Sequence, residues 1–223
     1  MKFTAEADLL CVTTLNRHQN NLNLIFVDTN TLKSKLILNE TDAAYIDITD
    51  NLTFLKDNSF LWTSEKDGFN HIYHYDNNGK LIKQITSGPW EVTEYYGYNS
   101  ENKQIYYQSV EDGSINRTLY TIGLNGKNKK RLGLKSGTNS AAFSNSFNYY
   151  INTFTDANTP FIFTLNDAKT GEVIKEVKNN NQLLKNLENY ITSPKEFFTL
   201  KTKNADFNAW LIKPSDFNPN KKY

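Results

Sequence analysis

One short motif occurs four times along the chain: Ile25-Phe26-Val27-Asp28, Ile72-Tyr73-His74-Tyr75-Asp76, Leu119-Tyr120-Thr121-Ile122-Gly123 and Ile162-Phe163-Thr164-Leu165-Asn166. With the aromatic residue as marker, Phe26 to Tyr73 and Tyr73 to Tyr120 are each 47 residues, and Tyr120 to Phe163 is 43. A polar turn follows every copy: Thr29-Asn30-Thr31, Asn77-Asn78-Gly79, Asn125-Gly126-Lys127 and Ala168-Lys169-Thr170-Gly171. Further strand-like runs come after the turns, among them Lys35 to Leu38, Lys80 to Ile85 and Glu172 to Val177. Another precedes each marker, at Leu9 to Thr14, Ser59 to Ser64, Gln104 to Ser109 and Asn148 to Thr153. Three or four short strands recurring at this interval match one β-propeller blade. A meandering β-sandwich also turns about every 8–12 residues. It has no reason to hold an aromatic residue at a fixed recurrence.

The composition agrees. There are 13 Tyr, 14 Phe and 31 Asn but only 10 Gly and 5 Pro, the mixture expected of short strands joined by tight turns. Helical periodicity is confined to Gln182 to Tyr190, with Leu183, Leu184 and Leu187 on one face. Lys195 to Lys201 and Phe207 to Lys213, joined by Thr202-Lys203-Asn204-Ala205-Asp206, form a hairpin. The fold class is therefore all-β: about four β-propeller blades of four-stranded antiparallel sheet. One short helix and a terminal β-hairpin complete it. The repeat places blades at approximately 1–50, 51–98, 99–143 and 144–178, and the helix and hairpin at 179–223.

Charge and length exclude several classes. Lys+Arg of 25 against Asp+Glu of 24 leaves a formal charge of +1, so neither nucleic acid nor an anionic membrane is an expected partner. No apolar run reaches the roughly 18 residues of a membrane-spanning helix. A single cysteine, Cys11, rules out an internal disulfide framework. It sits in an apolar strand and packs as a small hydrophobe. Met1 to Asp8 carries two acids where a signal peptide needs apolar residues, and Met1 reads as a start placed on a fragment.

No reaction is evident from the residues themselves. The Gly-x-Ser-x-Gly elbow of a hydrolase is missing, and Gly133-Leu134-Lys135-Ser136-Gly137 has the wrong spacing. His18, His71 and His74 are the only histidines, and nothing ties them to a serine. His71 and His74 are three apart on a strand, so their rings leave by opposite faces and cannot share a metal. Asp76-Asn77-Asn78-Gly79 opens like a calcium loop, but a strand resumes at Lys80, which makes it a hairpin turn. Phosphate loops of standard spacing are absent. Lys127-Asn128-Lys129-Lys130-Arg131 is a solvated strand edge. The Asn-x-Ser/Thr sequons at Asn39, Asn51 and Asn116 are expected by chance in so Asn-rich a chain. The expectation is no catalytic residue, no metal ligand and no cofactor, with substrate-binding residues unassigned.

Several longer strings carry a resemblance. Phe60-Leu61-Trp62-Thr63-Ser64-Glu65-Lys66-Asp67-Gly68-Phe69-Asn70-His71-Ile72-Tyr73 resembles a blade segment of the dipeptidyl peptidase IV branch of the prolyl oligopeptidase family. Gln84-Ile85-Thr86-Ser87-Gly88-Pro89-Trp90-Glu91-Val92 is similar to that branch's threonine–x–glycine–x–tryptophan–glutamate–valine string, and Leu15 to Asn20 fits the same group. Trp210 to Tyr223 looks like the opening of the family's hydrolase domain. The matches run in family order over essentially the whole chain.

The resemblance implies an eight-bladed N-terminal propeller capping a C-terminal α/β-hydrolase domain, so that the four blades of this chain form a partial β-propeller, an open arc, with the helix and hairpin leading into the hydrolase domain. Such enzymes remove dipeptides from N-termini with penultimate proline or alanine, using a serine triad beneath the propeller. The family's paired glutamates for the substrate amine lie upstream of the matched region, and its triad lies downstream of Tyr223. Neither is carried onto a residue here. Some members place an arginine near the strand matching Tyr45-Ile46-Asp47-Ile48; this chain has none there, so no substrate contact is assigned. The implied partner is a peptide substrate bound with the hydrolase domain, and the implied location is periplasmic or secreted. Open propeller edges imply self-association of the fragment. The alternative function is a non-catalytic propeller platform that binds protein or glycan; the helix and hairpin after Val177 argue against it.

Overall fold

The computed structural model of the chain describes residues 1–133 and 135–223. Its strands form four successive antiparallel meanders, each of four strands in chain order. The first contains β1 (Lys2–Phe3), β2 (Leu9–Leu15), β3 (Asn21–Asp28) and β4 (Ser34–Thr41). The second contains β5 (Thr53–Phe54), β6 (Phe60–Ser64), β7 (His71–Tyr75) and β8 (Leu81–Gln84). The third runs through β9 (Val92–Asn99), β10 (Gln104–Ser109), β11 (Thr118–Gly123) and β12 (Lys130–Arg131). The fourth runs through β13 (Thr138–Phe143), β14 (Tyr149–Thr155), β15 (Ile162–Asp167) and β16 (Val173–Lys178). Helix α1 (Asn181–Leu187) and the hairpin β17 (Lys195–Lys201) and β18 (Asp206–Ile212) follow. These are the sheets of a partial β-propeller, as the repeat predicts.

The chain divides into two compact units. Residues 1–111 and 119–131 make the first, and residues 112–118 and 132–223 the second. The helix and hairpin thus belong with the fourth sheet: Asn158 Nδ2 donates to Lys195 O, and the Lys195 N–H donates back to Asn158 Oδ1 at 2.9 Å.

Burial follows the position of each sheet. In β3 the pattern is period-2, with Leu22, Leu24 and Phe26 buried and their neighbours half-buried. Every residue of β6, β7 and β11 is buried, and the second sheet feeds a core on each of its faces. Phe60 and Trp62 pack with Leu22, Leu24, Phe26 and Ile37, whereas Leu61 packs with Ile72, Ile105 and Tyr107. Alternate side chains of one strand therefore feed two cores. Phe60 stacks on Tyr75 at 5.3 Å and Tyr107 on Tyr120 at 5.6 Å. Each such ring contributes about 2–3 kcal/mol of burial.

Two of the sequence-drawn blade lines fall within sheets. The line at 98/99 cuts off β9, which pairs with β10, and the line at 143/144 cuts off β13, which pairs with β14. The aromatic marker lies on the third strand of each sheet, so it leaves the first strand unphased. The helix is one residue earlier at its start and ends at Leu187, and Leu183, Leu184 and Leu187 are exposed.

The turns after the third strands share one device. Asp28 Oδ1 accepts from the N–H groups of Asn30 and Thr31, Asp76 Oδ1 from Asn78 and Lys80, and Asp167 Oδ1 from Lys169 and Thr170. These backbone donors hold all three carboxyls below the usual range. Gly79 closes the second turn at φ +79°, and a Cβ there would lie 1.7 Å from the carbonyl oxygen of Ile37 in the neighbouring sheet. Gly68 has φ +99° but open space around it. Gly79→Ala should cost about 2–3 kcal/mol in urea unfolding, and Gly68→Ala about 1 kcal/mol. Equal losses would show that the contact with Ile37 does not limit how closely these sheets approach.

Candidate functional site

A cavity of about 430 Å³ lies within the first unit. Its wall comes from the end of β4, the connection 42–51, the far half of β6 and the turn beyond it. The connection is pinned along its length. Asp42 Oδ1 accepts from the N–H groups of Ala44 and Tyr45 at 2.7 and 3.1 Å, and Ile46 N–H donates to Gln19 O at 2.7 Å. Asn51 Nδ2 donates to Thr63 Oγ1 at 3.0 Å. Lys66 follows β6: its Nζ donates to the Tyr75 hydroxyl at 2.7 Å and stands 3.9 Å over the Tyr73 ring.

The electrostatics of this space are unbalanced. Burial lowers the Lys66 pKa, while Glu40 and Asp67 oppose that shift. Burial raises the Glu65 carboxyl, and the charges of Asp47, Glu91 and Asp42 raise it further. Glu40 Oε1 and Trp62 Nε1 are both buried without a hydrogen-bond partner among the described residues. An unsatisfied buried polar atom costs about 1–3 kcal/mol, a penalty that both atoms carry.

The residues singled out in the sequence fall elsewhere or serve the scaffold. His71 is fully buried; its Nε2 lies 3.1 Å from Gly88 O and its Nδ1 3.0 Å from Thr86 Oγ1. A carbonyl only accepts, so Nε2 carries the proton and, in the neutral ring, Nδ1 accepts from Thr86. The ring also meets Trp90 edge-on at 4.9 Å. His74 Nε2 reaches Ser59 Oγ at 3.0 Å, and Ser59 Oγ donates to Asp57 Oδ1 at 2.6 Å. This Asp–Ser–His chain has the hydroxyl in the middle. A hydrolytic triad has the imidazole there, taking the serine proton. Ser59 instead donates its hydrogen bond to the carboxylate, which lowers the Asp57 pKa. His71 and His74 have different partners, and Asp76 to Gly79 is a hairpin turn.

Cys11 is fully buried, and burial pushes its thiol up to about 11. Lys130 and Arg131 form the exposed edge strand β12, and Lys129 pairs with Glu111. The sequon side chains of Asn39, Asn51 and Asn116 all donate hydrogen bonds, to Asn23, Thr63 and Asp112. In the stretch Gly133 to Gly137, Leu134 lies outside the described residues. Tyr45, Ile46 and Asp47 line the cavity, although the missing arginine gave no reason to assign them. Glu40, Trp62 and Lys66 were not singled out individually, because they come from three separate elements.

His74 supplies a pH test. Burial lowers its pKa despite Asp57, so the unfolded chain binds its proton first as pH falls. The associated stability is present above the unfolded value of about 6.5 and is lost below it. The urea midpoint should drop between about pH 7.5 and 5.5, and His74→Gln should flatten that slope. An unchanged slope would remove His74 as its source.

Comparison with known proteins places this geometry in a family. The family model for the dipeptidyl peptidase IV (DPP IV) N-terminal region matches residues 1–161. The dipeptidyl peptidase 4 of Arthroderma otae is 28% identical, covering 97% of this chain and 29% of its own length. That of Trichophyton rubrum is 26% identical with the same coverages. The crystal structure of Porphyromonas gingivalis dipeptidyl peptidase 4 superposes with a TM-score of 0.92 at 41% identity, over 99% of this chain and 32% of that one. The chain thus spans about three tenths of the length of the curated relatives it matches.

Proposed function

Because this chain belongs to the dipeptidyl peptidase IV N-terminal region family, we propose that it is propeller sequence of a serine exopeptidase that removes dipeptides from N-termini with penultimate proline or alanine. The observation carrying this reading is the match over residues 1–161, continued by 41% identity to the Porphyromonas enzyme across 99% of the chain. In the full protein these sheets wall and cap the active-site cavity and restrict it to small peptides. The serine, histidine and aspartate that acylate and hydrolyse the substrate come from the α/β-hydrolase domain, not from residues 1–223. The parent is a bacterial enzyme, periplasmic or secreted.

The assay compares the full-length gene product with residues 1–223 on a chromogenic glycyl-prolyl anilide. The full-length protein should release the dipeptide and lose activity to a serine-directed phosphonylating reagent, whereas residues 1–223 alone should be inactive. A full-length protein that binds peptides without cleaving them would replace this reading with the binding platform.

Partnering follows from one-sided burial. β14 buries only Tyr150, Asn152 and Phe154, and β16 is wholly exposed. We propose that the uncovered faces of the first and fourth sheets meet the rest of the propeller in the full protein, and a second copy in the isolated chain. Light scattering of residues 1–223 at high concentration should report dimers or larger species. A monodisperse monomer would overturn the self-association.

A further inference from the structure

We propose that the outermost strands of the first unit form a docking surface for an anionic lipid bilayer. The formal charge of +1 pointed away from anionic partners, but it averages over a chain whose charges are segregated. Residues 29–39, 77–90 and 113–131 contain no aspartate or glutamate. These segments hold β8, β12 and most of β4, each the outer strand of its sheet, together with the turns that lead into them. Lys33 and Lys35 stand at the start of β4, Lys80 and Lys83 at β8, and Lys130 and Arg131 make up β12; all six are exposed.

Contacts between sheets set these strands side by side. Lys35 Nζ donates to Asn78 Oδ1 at 2.6 Å, in the turn before β8. A Cβ on Gly126, in the turn before β12, would lie 3.3 Å from Lys83 Cε. Of the flanking acids, Asp28 and Asp76 face the N–H groups of their own turns, and Glu111 pairs with Lys129. Lysine by itself would only blunt a sheet edge against pairing. Here aliphatic side chains stand exposed among the lysines: Leu32 at 77%, Leu36 at 56%, Leu81 at 44% and Ile82 at 53%. Successive side chains leave a strand by opposite faces, so the exposure of both Leu81 and Ile82 means that β8 stands clear on each face. A cationic edge with protruding aliphatic groups fits a surface that is anionic outside and apolar just beneath, the headgroup region of a bilayer containing acidic lipid. A soluble polyanion would pair with the lysines and leave the leucines and isoleucine in water. Single-stranded nucleic acid is held by stacking on aromatic rings, and β4, β8 and β12 contain none.

Co-flotation of the 223-residue chain with vesicles tests this independently of any peptidase activity. The chain should float with vesicles of phosphatidylglycerol and phosphatidylcholine in equal parts, and not with phosphatidylcholine alone. Binding should fall steeply as salt rises past about 0.15 M. Lys80→Gln and Lys83→Gln should each weaken partitioning about fivefold, and Leu81→Ser combined with Ile82→Ser at least about tenfold. Lys203→Gln with Lys221→Gln removes the same charge from the second unit and should change nothing. Dextran sulfate at equal charge concentration should bind the unaltered chain more weakly than the anionic vesicles do, a comparison that holds even if a variant misfolds. No flotation with anionic vesicles, equal flotation with neutral ones, or equal loss in the Lys203 and Lys221 control would overturn the proposal. So would a folded Leu81 and Ile82 variant of unchanged affinity, or dextran sulfate binding as tight as that of vesicles, since either would make the patch a site for soluble polyanions.

Discussion

The structure of the first unit depends on face-to-face packing of sheets, which requires the second to be apolar on both sides. β6, β7 and β11 contain no exposed residue, so their sequences cannot alternate polar and apolar in the ordinary way. In β6 and β7 the rings of Phe60, Trp62, Tyr73 and Tyr75 take one face, and Leu61 and Ile72 take the other. β3, at the end of the stack, keeps the alternation that one-sided burial allows. The turn constraint is secondary to this one. Gly79 is needed because the second sheet approaches the first closely enough to bring its turn against Ile37.

Tyrosine is a costly way to build such a core. The Tyr107 hydroxyl is buried without a hydrogen-bond partner among the described residues, a penalty of about 1–3 kcal/mol. Its ring offsets about the same amount by burial and stacking on Tyr120. Phenylalanine at 107 removes the penalty and keeps the ring. Where hydroxyls do find partners, they tie sheets together. Tyr95 donates to Thr53 across 42 residues of sequence, joining the third sheet to the first strand of the second. These bonds specify which face meets which, where ring packing alone tolerates sliding.

Legibility in the sequence follows the same physics. The marker strands were readable because double-sided burial demands contiguous apolar and aromatic residues, and a fixed sheet size spaces them at 47 residues. β1, β5 and β12 are only two residues long, too short for any periodicity, and β9 lacked a marker to phase it. The leucine face of α1 was visible, but not that it stays exposed. The Asp57–Ser59–His74 chain was hidden because it joins β7 to the turn before β6. Nothing in the sequence distinguished Glu40, one of whose oxygens the fold buries.

That connection explains why a polar cavity exists in an otherwise close-packed stack. Passing from the outer strand of one sheet to the inner strand of the next takes seven residues at 85–91 but eleven at 42–52. A longer crossing cannot lie flat between sheets already at packing distance, so it bows outward and holds its shape by its own hydrogen bonds. Asp42 folds its beginning, Gln19 fixes Ile46, and Thr63 anchors Asn51. The space beneath is walled on one side by the fully buried β6 and on the other by β4, where Ile37 alone is buried. Side chains at such a junction are held by the core at one end and released from it at the other. Trp62 buries its ring in the first core and forms part of the wall of this space.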